Sequence, residues 1–203
     1  MKITPTLRVA VAAIALTTVV SACTGTTEQG TGPGSDGAVP AGGTGRMVVL
    51  SNPGHVTYTT HPAGCHVRGN SPTTLLPDPS CTPGGIDPKV TQANLSSTIC
   101  KSGYTATVRP PSSDTGKAKR LLYSAYGIPA DEKSELDHQV SLELGGDNDI
   151  ANLWPEVGKI PNPKDAVENR LHRAVCAGTV TLAAAQRAIA TDWIHAERDL
   201  GLS

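Results

Sequence analysis

The chain has 203 residues, no phenylalanine and a formal net charge of −1. That length holds one domain beside a leader and a tether, and the lack of Phe leaves Leu, Val, Ile, Ala and the two tryptophans to build the core. A charge near zero excludes a protein that holds polyanions by bulk attraction, so any nucleic-acid contact must come from local basic patches.

Lys2 and Arg8 flank the start of a short apolar run, Val9 to Val20, which is too short to span a membrane as a helix. Residues 1–22 are therefore expected to be an export signal. Val20-Ser21-Ala22-Cys23 resembles the lipobox of bacterial lipoproteins. That resemblance implies cleavage before Cys23 and lipid on its thiol and new amino group; a plain signal peptide with an unrelated cysteine is the alternative. Lipid chains would attach the protein to the outer side of the cell membrane without a spanning helix. Residues 23–45 continue as Gly, Thr, Ser and Pro with too little apolar surface to offset ordering entropy, which predicts a flexible linker. The run Gly32 to Gly37 matches GxGxxG, but no strand precedes it and no helix follows, so it carries no dinucleotide chemistry.

Residues 46–203 form the expected domain. Val48 to Thr60 carries β-branched residues in loose alternation and predicts short strands. Gly64 to Gly85 is Pro- and Gly-rich loop. Thr91 to Cys100 predicts a short helix, Thr105 to Arg109 a strand stopped by Pro110-Pro111, and Thr115 to Tyr126 a helix with Ser112, Ser113 and Asp114 as available caps. Glu135 to His138 and Val140 to Leu144 predict two short strands, with Gly145-Gly146 and Asp147-Asn148 supplying turn chemistry. Ala151 to Trp154 is extended. Lys164 to Ala177 predicts a helix with Val167, Leu171, Ala174 and Val175 on one face, and Thr181 caps a last Ala-rich helix to about Trp193.

Four cysteines lie in this region: Cys65, Cys81, Cys100 and Cys176. Export favours disulfides. Of the three pairings, Cys65–Cys81 and Cys100–Cys176 are expected, the first closing a Pro-rich loop. The absence of CxxC speaks against a structural zinc site. Two basic clusters stand out, Lys117, Lys119 and Arg120, and Arg170 with Arg173; each is also what a solvated helix face looks like.

The stretch "ELDHQVSLELGGDNDIANLWPE", Glu135 to Glu156, places Asp137 and His138 side by side, then a Gly-Gly pair, then Asn152. A helix bearing Glu168, Asn169 and His172 follows. In this order the residues resemble the HNH endonuclease family. The similarity covers Glu135 to Cys176, and the segment "KDAVENRLHRAVCAGTVTLAAAQRAIATDW" is similar to small secreted actinobacterial proteins of that group. The resemblance implies an α+β domain with a ββα-metal centre at about residues 135–176, flanked by helices and short strands and stapled by disulfides. It implies a metal-dependent endonuclease that hydrolyses phosphodiester bonds in DNA, or RNA, outside the cell membrane.

In that family the His after the Asp is the general base, a role that passes to His138. Adjacent strand residues point to opposite faces, so the hairpin has to twist for Asp137 to reach a metal while His138 reaches a water. Asn152 would orient His138 or brace the hairpin. Asp137 would share the metal with Asn169 or His172, with Glu168 one helical turn from His172 as a further candidate. Such donors suit Mg²⁺ or Mn²⁺, with Ni²⁺ and Zn²⁺ as alternatives. The competing reading is an inactive envelope module that keeps the fold for binding alone. No HExxH, P-loop or GxSxG motif offers another chemistry.

Overall fold

The computed structural model describes residues 46–129 and 131–202. The export signal, Cys23 and the linker lie outside these residues. The domain mixes helix and strand. Strand β1, Val48–Val49, pairs in parallel with β2, Gly85–Ile86. Helices α1, Tyr104–Val108, and α2, Ser112–Ala125, follow, then β3, Ser134–His138. Strand β4 is Leu153–Val157; then come α3, Pro163–Cys176, α4, Leu182–Asp192, and α5, Ala196–Asp199.

Strands β3 and β4 pair antiparallel, with Asp137 opposite Trp154 and His138 opposite Leu153. A two-stranded sheet leaves one side of each strand without a ladder, which is where Pro155, having no N–H, is tolerated inside β4. Helix α3 begins with a full cap. Asn162 accepts from the Lys164 N–H, Asp165 accepts from the Asn162 N–H, and Pro163 fills the first turn. Thr181 caps α4 by accepting from Ala184 N–H.

Two apolar clusters sandwich the segment between β3 and β4. Val140 and Leu144 pack with Val90, Leu171, Val175, Ile189 and Trp193. Ile150, Leu153 and Trp154 pack with Leu122, Tyr126 and the Cys65–Cys81 bridge. The disulfides are Cys65–Cys81 and Cys100–Cys176, with Cα–Cα separations of 6.0 and 5.7 Å. They are the expected pairs, and they suit an oxidising compartment. Among the described residues no helix is long and apolar enough to cross a membrane.

Four local expectations fail. Tyr104–Val108 is a helix, not a strand: Gly103 enters it at φ 80°, and the Thr107 hydroxyl donates to the Tyr104 carbonyl instead of facing a neighbouring strand. Val140 to Leu144 is not a strand either. Its start is held by the side chain of Asn152, and Leu142–Leu144 coil into a 3-10 turn. Thr57 makes only a single bridge, to Asp149, where strands were expected up to Thr60. Gly146 does not turn a hairpin; a Cβ there would run into the Val140 carbonyl oxygen, so only glycine fits.

Candidate functional site

His138 ends β3 and is buried. Its Nε2 lies 2.9 Å from Asn148 Oδ1. The orientation of that amide is fixed by its other end, because Asn148 Nδ2 donates to the carbonyls of Asn52 at 3.1 Å and Val108 at 2.9 Å. Oδ1 can then only accept, so Nε2 carries the proton and Nδ1 keeps its lone pair. Among the described residues nothing is hydrogen-bonded to Nδ1, and it is not one of the buried unpartnered atoms. It is the ring's open position. Burial first, then the nearby charges of Arg109 and Lys164, pull the imidazole down to about 4, against the Asn148 hydrogen bond and the Asp137 charge. His138 is therefore a neutral base at neutral pH.

Asn148 is in turn held in place. Its N–H donates to Asn52 Oδ1 at 2.9 Å, and Asn52 Nδ2 donates to Thr57 Oγ1 at 2.8 Å. Next to it, Asp149 accepts from Thr57, Thr59 and the Ala151 N–H. Asn152 braces the chain and does not touch His138. Oδ1 accepts from Gly85 N–H at 3.0 Å and Val140 N–H at 2.8 Å; Nδ2 donates to the carbonyls of Val140 and Asp147 at 3.0 and 2.8 Å. All four of its hydrogen-bonding positions are spent on backbone.

Asp137 points to a different centre, built on the buried ammonium of Lys164. Nζ donates to Asp137 Oδ2 at 2.7 Å, to the His138 carbonyl at 2.6 Å and to Glu168. Burial would raise the Asp137 carboxyl, but the Lys164 ammonium more than offsets it and holds it below its ordinary value. Burial drives Glu168 up to about 8 and Glu156 up to about 10, the second assisted by the charge of Asp137. Lys164 itself is raised: burial opposes its charge, and Asp137, Glu168 and Glu156 overcome that.

The expected metal triad does not assemble. Asn169 is exposed and donates to the Asp165 carbonyl of its own helix. His172 lies on another side of α3, with Nε2 at 2.9 Å from the Ile99 carbonyl and Nδ1 at 3.7 Å from Glu143. The buried stripe of α3 runs through Lys164, Val167, Leu171 and Val175, so Lys164 and Glu168 face β3 where Asn169 and His172 were expected. One group among the described residues does have metal-ligand spacing: Cys100, His172 and Cys176, with ligand atoms within 4.8 Å of one another. Its two sulfurs are bonded to each other, and a metal takes the thiolate. In the oxidised protein that group offers His172 alone.

No protein-family model matches the chain. Nor does any curated protein or solved structure compared with it.

The basic residues divide. Arg170 is ion-paired with Glu197 of α5, which removes it from the free cations, and Arg173 is exposed in the last turn of α3. Lys117 and Lys119 lie on different sides of α2, their ammonium groups 4.6 Å over the Tyr58 ring and 5.0 Å over the Tyr123 ring. Arg120 is exposed one turn beyond Lys117. Sequence reasoning missed Asn148 and Lys164. The signal for the first is a short polar run, Asp147 to Asp149, enclosed by buried apolar residues; nothing local marks a lysine for burial.

Proposed function

We propose that this domain hydrolyses phosphodiester bonds of nucleic acid, DNA or RNA, with His138 as general base. The observation that carries the reading is the locked tautomer, with Nε2–H on Asn148 and an open Nδ1 lone pair. A water at Nδ1 gives its proton to the ring as its oxygen attacks phosphorus, and the bond to the leaving oxygen breaks. The imidazolium that forms is favoured by the Asn148 oxygen and by the negative charge of Asp137, both of which raise the basicity of the ring. The order β3, β4, α3 around His138 supports the resemblance to the HNH family and its ββα-metal centre.

That resemblance implies a divalent ion. Asp137, Asn169 and His172 do not share a site, and the cation beside Asp137 is the Lys164 ammonium. These residues do not fit a bound metal as they stand. For localisation, the small residues before Cys23 and the two disulfides support a protein exported and tethered by lipid to the outer side of the cell membrane. Fatty-acid labelling of cells should tag the chain, and Cys23→Ala should abolish the label.

The function is tested by incubating the purified protein with supercoiled plasmid and with RNA, in chelator and in Mg²⁺, Mn²⁺, Ni²⁺ or Zn²⁺. Nicked or linear product, or shortened RNA, supports hydrolysis. Tight binding without product in every condition would replace it with the binding-module reading.

A further inference from the structure

The proposed hydrolase needs a cation at the phosphate, and with Lys164 enclosed and Arg170 paired neither of them is at hand. We infer that Arg109 grips the phosphate attacked by the water that His138 deprotonates, at the head of a backbone-binding strip continued by Lys117 and Arg120. This rests on the hydrolase reading and names a residue that the Asp-His motif does not contain.

The geometry is set by Asn148. The same amide that holds His138 through Oδ1 donates through Nδ2 to the carbonyl of Val108, the residue before Arg109. That carbonyl also accepts from the Gly54 N–H at 2.8 Å. Arg109 caps α1 through its N–H to the Thr105 carbonyl at 3.0 Å, after which φ −69° and ψ 129° turn the chain out of the helix. Arg109 is thus fixed two hydrogen bonds from the imidazole, on backbone held at three points. Its side chain is exposed, and among the described residues no carboxylate pairs with it. Its charge reaches His138, where it opposes protonation of the ring.

The strip continues along α2, which starts three residues later. Lys117 and Arg120 lie on neighbouring positions of one face, and both are near Tyr58: Lys117 stands over its ring, and the charge of Arg120 works against the burial and the Asp114 charge that together raise the Tyr58 hydroxyl. Asp114, on the same face, is occupied by the Val56 N–H at 2.6 Å and lies 3.8 Å from His55, so its charge is partly spent. Lys119 points away, toward Tyr123. An exposed guanidinium with no carboxylate on it suits a phosphodiester, which offers two oxygens in a fork.

The test compares full-length parent, Arg109→Ala, Arg109→Lys and Lys133→Ala, an exposed lysine at the far end of β3. Cleavage of a fluorescein-labelled duplex is measured as a function of pH and salt, and binding of the duplex is measured by anisotropy in the His138→Ala background. Arg109→Ala is expected to lower kcat/KM by about 10-fold or more and to reduce the salt slope of binding by roughly one. It should also move the acid limb of the rate profile to higher pH, since a cation that opposes His138 protonation is gone. A residue that only supported the fold would leave that limb in place. Arg109→Lys should recover part of the loss, and Lys133→Ala should match the parent. If the parent cleaves and Arg109→Ala equals it in kcat/KM, salt slope and acid limb, Arg109 has no such role while the hydrolase reading stands. If the parent neither binds nor cleaves the duplex, the hydrolase reading falls and the strip falls with it.

Discussion

His138 depends on a residue ten positions away more than on its neighbour in the chain. Asp137 and His138 are adjacent in sequence, yet one faces Lys164 and the other faces Asn148. Asn148→Ala removes the acceptor that fixes the tautomer and leaves buried carbonyls of Asn52 and Val108 short of a donor. It should cost about 1–3 kcal/mol of stability, measured by denaturant unfolding, and lower kcat at least tenfold by single-turnover assay. Lys164→Met should cost about 3–5 kcal/mol, because it strands Asp137 and Glu168 without their cation. The sign of its pH dependence follows from Asp137. A carboxyl held low by Lys164 contributes stability above its ordinary range and loses it as pH falls, so the gap between parent and Lys164→Met should narrow toward low pH. Unfolding curves at pH 4 and pH 7 check this. The Asp-His pair stands out in the sequence because the two residue types lie side by side, but the fold sends the two side chains to different partners. Lys164 does not stand out, because its burial depends on three acids brought from β3, β4 and α3, and no local pattern encodes that meeting.

At the scale of elements, caps and apolar stripes carried most of the information. Thr181 marks the start of α4, and the stripe through Val167, Leu171 and Val175 is the face of α3 that packs; sequence reasoning missed the Asn162-Pro163 cap that starts α3 one residue before Lys164. The segment from Gln139 to Asn152 was not legible as structure. Its alternation suggested a strand, but Gln139 sends its amide to the carbonyls of Ile189 and Ala190 on α4, and Asn152 fills the place of a partner strand at Val140. Long-range side-chain bonds overrode a local preference. The short helix α1 failed for the opposite reason: five residues are too few for a helical period, and two threonines favour extended chain. The disulfides follow from the cysteine count and export. Cys100–Cys176 closes 76 residues and Cys65–Cys81 closes 16. By loop entropy the first is worth about 4–5 kcal/mol and the second about 3 kcal/mol, so the Cys100→Ser, Cys176→Ser pair should lower the guanidinium midpoint more than Cys65→Ser, Cys81→Ser does.

For the whole molecule, a net charge of −1 conceals a separation of charge. The acids Asp137, Glu156 and Glu168 gather around Lys164, where burial raises the last two and Asp137 keeps the charge that faces the ammonium, while the free cations Arg109, Lys117 and Arg120 lie exposed on the side of α1 and α2. Acid should weaken the fold through His138. Its folded value of about 4 lies below the ordinary imidazole range, so the unfolded chain takes up that proton first. Stability from this group is complete above about pH 6.5 and falls as the pH drops toward 4, by at most about 3 kcal/mol. The same group governs the proposed reaction, because only the neutral ring can accept a proton from water. The most direct measurement is the pH profile of plasmid cleavage for the parent and for His138→Ala at matched purity. The parent should keep its rate down through mildly acid pH and lose it along a limb near pH 4, while His138→Ala should run about 10²–10⁴-fold slower with that limb gone. Equal rates in the two proteins, or the same acid limb in both, would contradict the assignment of His138 as the base.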